Sequence, residues 1–286
     1  MSKNHIHPTA VVDPQAKIGS NVTIEAYAIV KGNVTLKDNV TVKSHAYLDG
    51  NTTIGSGTTI WPFACIGTKT QDLKFRGEKT FVIIGENCDV REYVTINSSC
   101  QENSVVRVGD RCLIMAYCHV AHNCEIGNRV IMANAVNLAG HVIIEDCAIL
   151  GGVTAVHQFT RIGCYAMVGG FSRVTHDVPP YTIGAGSPYE LGGLNLVGLK
   201  RHGFPYEIRK DLTKAFKLTY RSGLRLSDAL EKIHLEIEHS LYIKHWLQFC
   251  KASRRGLIGL QGLNRTDSIE EENLEEFDEI LQEELR

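Results

Sequence analysis

The chain has 286 residues, 43% hydrophobic and 22% charged, with a formal net charge of -2. No run approaches the ~18 apolar residues of a membrane span, and the first ten residues lack the basic region and apolar core of a secretory signal. The nine cysteines include no CxxC pair, so a disulfide framework or zinc ribbon is not expected, and the chain reads as a reduced, cytoplasmic protein.

From the N-terminus the dominant signal is a period of six. Stepping by six from Ile6 meets Val12, Ile18, Ile24, Val30, Leu36, Val42, Leu48, Ile54, Ile60 and Ile66. The register resumes at Ile84, Val90 and Ile96, and again from Val108 through Ile126, Leu138 and Ile162 to Val174. All 26 of these positions are aliphatic or Met. Four residues after each start stands a small or β-branched residue, such as Ala10, Ala28, Cys112, Cys118 and Cys124. This is the hexapeptide repeat of a parallel β-helix. Each hexad is one short strand and a turn, and three hexads close a triangular coil. The aliphatic residue fills the prism and the small one fits the corner. Coils about 4.8 Å apart satisfy one another's backbone groups. An amphipathic helix would need a 3.6 period, and a βαβ fold would need helical stretches between strands.

Two breaks, about 68–80 and 98–107, have the length of external loops, where function often sits. The coils are expected to end near "DVPPYTIGAGSP", whose prolines and glycines argue against further regular structure. Beyond it the pattern turns helical over roughly 205–222, 227–239 and 241–251, with an acidic amphipathic stretch near 268–285. The expected domains are a β-helix over 1–190 with its two loops, a helical domain over 191–260 and an acidic tail over 261–286. Residues 267–286 carry a net -9, which leaves +7 on the remainder, and 191–225 alone carry +6. That patch is too local for a nucleic-acid binder and suits an acidic protein partner. Lys210, Lys214, Lys217 and Arg221 share one face of the first long helix, with Ile208, Leu212, Ala215, Phe216 and Thr219 on its apolar side.

Residues eighteen apart stack on one another. His122, Gly140, Gln158 and His176 therefore form one ladder, and Asn123, His141 and Phe159 its neighbour, with His119 and His157 close by. All ladder members fall at outward hexad positions. Such a strip is either functional or simply the polar exterior of a β-helix.

The segments "HVAHNCEIGN", "LAGHV", "ILGGVTAVHQF", "MVGG", "DVPPY" and "QDLKFRGEKT" resemble the UDP-N-acetylglucosamine acyltransferase family, over about residues 5–260. The resemblance implies a left-handed β-helix homotrimer with active sites in the clefts between subunits. It implies transfer of an acyl chain, often 3-hydroxylated, from acyl carrier protein to the 3-hydroxyl of UDP-N-acetylglucosamine, the first step of lipid A biosynthesis, with no cofactor and no metal. By the same resemblance His122 is the general base that a poorly nucleophilic sugar hydroxyl needs. Gly140 supplies a backbone N–H to the oxyanion. Asn123 stands where the family commonly has Asp; its carbonyl can hold the imidazole N–H but brings no charge to stabilise imidazolium. Asp72 matches a sugar-hydroxyl contact and Lys74 a phosphate or pantetheine contact. His119, His157 and Gln158 match residues lining the substrates, His141 one that positions substrate, and Asn195 and Arg201 residues at the nucleotide end. Gly170, with Met167, matches the acyl-chain ruler, and a glycine there leaves the groove open to a longer chain. Asn97 stands where many relatives have His.

Two other readings compete. A trimeric β-helix zinc hydratase places three histidines around its metal, and His119, His122 and His141 invite that assignment; the long helical segment and the "QDLK" loop argue against it. A non-catalytic β-helix scaffold is the other. Cys88, Cys112, Cys118 and Cys124 fall at the small corner position and read as packing residues. No P-loop or dinucleotide fingerprint is present.

Overall fold

The structure, a computed structural model, describes residues 3–238 and 240–260. The expected acidic tail and its amphipathic stretch lie outside the described residues. Short strands recur from His5–Ile6 to Arg173–Val174 and, with Thr182–Ala185 and Glu190–Leu194 added to the first, stack into three sheets of 11, 9 and 8 strands among the described residues. Each strand pairs with the strand three further along, eighteen residues on in most coils, as in His119↔Asn137 and Asn137↔Ala155. The three sheets are the faces of a prism wound left-handed, numbered here in the order the chain first visits them.

The repeat's aliphatic residues fill the prism. Ile24, Leu48, Ile66, Ile96, Val120, Leu150 and Val174 are at most 1% exposed, and truncating any of them to Ala would cost about 2–5 kcal/mol. Ile6 is 46% exposed, since its strand pairs on one side only. At the corners the turn residue takes left-handed backbone even where it is not glycine. Asn21, Tyr27, His45, Asn123, His141 and Phe159 do so, with φ of 57, 59, 62, 57, 60 and 65°. That conformation costs roughly 1 kcal/mol per residue. Stacking offsets it: His141 N–H donates to His122 O at 3.0 Å, and Phe159 N–H to Gly140 O at 3.1 Å.

Both interruptions leave the prism at the same corner, between the second and third faces. The first joins Cys65–Thr68 to Phe81–Ile84, and the second joins Thr95–Asn97 to Val105–Val108. The second loop is shorter than the sequence suggests, because 105–107 extend a strand that pairs with Phe81–Ile84. Ile84 pairs with Ile54 and Val108 with Ile84, so the loops add whole hexads and the inward register continues unbroken.

Regular structure does not stop at the prolines. Thr182–Ala185 pairs parallel with Met167–Val168 and antiparallel with Glu190–Leu194. Pro179 and Pro180 precede this strand instead of interrupting its ladder, and a Cβ on Gly184 would overlap the carbonyl of Glu190 on the returning strand. Among the described residues four helices follow: α1 (Leu196–Arg201), α2 (Tyr206–Tyr220), α3 (Leu226–Glu236) and α4 (Leu241–Lys251). The first of these has no counterpart in the sequence reading. Leu212, Ala215 and Phe216 form the buried face of α2, where Thr219 Oγ1 accepts from Trp246 Nε1 at 3.2 Å. Helix α4 is tied to the prism by His245 Nε2, 3.0 Å from Glu145, and by the Arg161 guanidinium, 4.1 Å from the Phe249 ring centroid. No helix among the described residues is long and apolar enough to cross a membrane.

Candidate active site

The strand His119–Val120 lies on the second face, and the turn after it carries His122 and Asn123 to the corner from which both loops emerge. One coil on, Gly140 and His141 occupy the matching places, and one coil further Gln158 and Phe159. The His122 ring lies across Gly140: a Cβ there would overlap ring atoms Cε1 and Nε2 and stand 2.9 Å from Nδ1. Only glycine leaves the imidazole that position. His141 meets the His122 ring edge-on, with centroids 5.2 Å apart, and stacks on Phe159 at 4.6 Å. No described residue accepts from the Gly140 N–H.

The loops deliver two further side chains. Asp72 Oδ2 stands 3.8 Å from His122 Nε2. Its other oxygen accepts from the Lys74 N–H at 2.8 Å, and that bond, aided by His122, holds the Asp72 carboxyl below the usual carboxylate range. From the second loop, Cys100 Sγ comes within 3.5 Å of His122 Nδ1 and 2.9 Å of Asn123 Oδ1. Asn123 Oδ1 is in turn 3.1 Å from His122 Nδ1. An amide oxygen only accepts, so this contact places the ring proton on Nδ1 and leaves the lone pair on Nε2.

The surroundings of the neighbouring histidines favour the neutral ring. Burial lowers the pKa of His119, whose Nδ1 is 2.7 Å from Thr95 Oγ1. Burial, with the proximity of His122 adding to it, lowers that of His141. Of the metal-capable side chains here, Cys100, His122 and His141 present donor atoms within 4.8 Å of one another. His119 is not among them, so the described residues of one chain do not by themselves bring His119, His122 and His141 around a common point. Sequence reasoning passed over Cys100 altogether, because its approach depends on a loop path that carries no periodic signal.

The remaining candidates are distributed over the whole cross-section. Lys74 is exposed and Gln158 half-buried. His157 is exposed, its Nδ1 3.0 Å from the Gln158 carbonyl oxygen. Asn97 is buried and donates to Thr68 Oγ1 at 3.0 Å, closing the neck of the first loop. Met167 opens the first-face strand Met167–Val168 and Gly170 follows it at the corner between the first and second faces, a full face away from His122. Gly170 is exposed, and a Cβ there would find only Gly152 O, at 3.2 Å, and Gly152 N, at 3.7 Å. Asn195 lies by the corner between the third and first faces and is buried. Its Oδ1 accepts from Gly198 N–H at 3.0 Å, capping α1, and its Nδ2 donates to the Tyr165 carbonyl at 3.0 Å. Both ends of that amide are committed to the fold. Arg201 is exposed at the end of α1. One chain thus gathers His122, Asn123, Gly140, His141 and Asp72 at one corner, and leaves Gly170 with Met167, and Asn195 with Arg201, on the other two.

Such a corner pairs a lone pair on a fixed imidazole with a neighbouring backbone N–H and a carboxylate. It can deprotonate a hydroxyl and steady the oxyanion formed when that hydroxyl attacks a carbonyl.

Comparison with known proteins converges on one family. Residues 177–258 match the model of the second domain of UDP-N-acetylglucosamine O-acyltransferase, and residues 106–140 the bacterial transferase hexapeptide model of six repeats. The chain is 56% identical over 254 residues to an acyl-[acyl-carrier-protein]–UDP-N-acetylglucosamine O-acyltransferase of Chlamydia abortus, covering 88% of this chain and 91% of the relative. It is 53% identical over 272 residues to the enzyme of that name from Chlamydia caviae, covering 95% and 96%. Among solved structures, a UDP-N-acetylglucosamine acyltransferase from Bacteroides fragilis superposes with a TM-score of 0.86 at 40% identity, covering 88% of this chain and 99% of that one. One from Francisella novicida gives 0.85 at 33%, covering 92% and 99%.

Proposed function

The chain belongs to the UDP-N-acetylglucosamine O-acyltransferase family, and from that membership we propose how its residues act. It moves a fatty acyl chain from acyl carrier protein to the 3-hydroxyl of UDP-N-acetylglucosamine, in the lipid A pathway. His122 is the general base. Its Nε2 takes the hydroxyl proton while the sugar oxygen attacks the thioester carbonyl. The tetrahedral oxyanion accepts a hydrogen bond from the Gly140 N–H. The carbon–sulfur bond then breaks, and the leaving thiolate takes the proton back from imidazolium. Asn123 Oδ1 holds Nδ1–H, and Asp72, 3.8 Å from Nε2, supplies the negative charge that Asn123 lacks. Asp72 and Lys74 flank the acceptor and phosphates, and His119, His141, His157 and Gln158 line the substrate path.

The single observation that carries this reading is the seating of the His122 ring over Gly140. The scattering of the other candidates over three corners supports a homotrimer, in which a second copy brings its Gly170 or its Asn195 and Arg201 toward the His122 corner. An exposed stripe at the corner between the first and second faces supports the same assembly. There Tyr27, His45, Phe63, Tyr93 and Tyr117 stack in sequence at 4.9–5.1 Å, and Phe171 is 76% exposed further along; apolar surface on that scale marks a contact. On α2 and its C-cap, Lys210, Lys217 and Arg221 are exposed and suit an acidic carrier protein. The nine cysteines, all free, suit a cytoplasmic protein.

The test is mass spectrometry of the product formed from UDP-N-acetylglucosamine and a panel of acyl carrier proteins. His122→Ala should lose about 10²- to 10⁴-fold in turnover while sedimenting as the same trimer. Undiminished turnover would overturn the assignment of the base.

A further inference from the structure

Two groups of metal-capable side chains exist among the described residues. In one, Glu145, Cys164 and His245, the imidazole already uses both nitrogens. Nε2 is paired with Glu145 at 3.0 Å, and Nδ1 lies 3.5 Å from Cys164 Sγ and 3.2 Å from Tyr181 OH. These contacts account for that cluster as a tie between α4 and the prism. In the other group the His122 Nδ1 is engaged too, 3.1 Å from Asn123 Oδ1, but that partner is a neutral amide, and no carboxylate ties Nε2 at hydrogen-bond distance, Asp72 standing 3.8 Å away. Cys100 Sγ and His122 Nδ1 are 3.5 Å apart, and His141 offers a third donor within the same 4.8 Å. A tetrahedral zinc ion with bonds of about 2.3 Å to sulfur and 2.0–2.1 Å to nitrogen separates its S and N ligands by roughly 3.6 Å. The pair is therefore spaced for one cation, and Asn123 Oδ1, 2.9 Å from the sulfur, lies beside it.

We propose that Cys100, His122 and His141 form a binding site for a zinc-class divalent cation, and that its occupancy switches the base off. Soft thiolate with two imidazoles selects such a cation over magnesium or calcium. On binding, the thiol releases its proton to solvent and sulfur bonds the metal. His122 coordinates through Nδ1, so its ring proton moves to Nε2. The nitrogen that receives the sugar proton then has no lone pair to offer. The inhibitory half rests on His122 being the base, whereas the metal site does not.

The full-length protein, stripped of metal with a chelator, is titrated with cobalt(II). One cation per chain should bind with a thiolate-to-cobalt charge-transfer band in the near ultraviolet, and zinc should bleach it. Cys100→Ser should abolish the band, and Cys164→Ser should leave it intact. No band, or a band that survives Cys100→Ser, overturns the site. In parallel, zinc should suppress acyl transfer in step with occupancy, chelator should restore it, and the Cys100→Ser enzyme should lose this sensitivity. Full turnover by zinc-loaded wild type overturns the switch. Because the cobalt band needs no turnover, failure of the metal site and failure of the acyltransferase reading give different results.

Discussion

The imidazole of His122 rests against the bare Cα of Gly140 one coil away, in space that a methyl group would fill. Gly140→Ala should therefore displace the ring while leaving the prism core untouched. Turnover should fall about a hundredfold, the scale for a misplaced reacting group, with the melting temperature little changed. Steady-state kinetics beside a thermal melt would separate this from general unfolding.

Charge around the base can be moved from either side. Asn123→Asp places a carboxylate at Nδ1 and favours imidazolium, so the acid limb of the kcat/KM profile should move to higher pH, by about one unit. Asp72→Asn removes the carboxylate 3.8 Å from Nε2 and should move that limb to lower pH. A profile unmoved by both changes would assign the limb to some other group.

Burial lowers the pKa of His119 and His141, whereas in the unfolded chain each titrates near 6.5. The unfolded state thus takes up protons first on acidification. Stability is full above about pH 6.5 and declines as the pH falls toward the folded-state values. The melting temperature should be lower at about pH 5.5 than at about pH 7.5, and His119→Asn should narrow that gap.

Gly170 is exposed, and a Cβ there would press on the Gly152 carbonyl oxygen at 3.2 Å, so a long side chain finds open space beyond Cβ once that carbonyl gives slightly. Gly170→Met should shift preference toward shorter acyl chains without lowering the rate on the shortest. Competition between acyl carrier proteins of different chain length reads this directly, and unchanged selectivity would remove Gly170 from the ruler.

The basic face of α2 is not uniform. Lys214 Nζ lies 3.4 Å from Glu236, while no ion pair engages Lys217 among the described residues. Charge reversal at Lys217 should raise KM for acyl carrier protein and flatten its salt dependence. The same change at Lys214 also breaks a contact with α3, so it should additionally lower the melting temperature.

The prism was legible because its cause is periodic: an inward aliphatic residue every six positions survives both loops, since each loop adds whole hexads. The ladder His122–Gly140–Gln158 follows from the same arithmetic. Cys100 and the closeness of Asp72 to the base were not legible, because loop paths follow no period. The strand Thr182–Ala185 was missed because two prolines outweighed the alternation after them. The capping of α1 by Asn195 was not legible either, because the helix is too short to announce itself by pattern.

Both loops spring from the very edge of the prism that holds the imidazole. The pocket is thus assembled from a rigid half, dictated by stacking, and a removable half hung beside it. Transplanting the first loop, 69–80 between Thr68 and Phe81, between relatives ought to change which acceptor is chosen while sparing the proton-transfer chemistry, so that selectivity and reactivity can be re-engineered as separate cassettes.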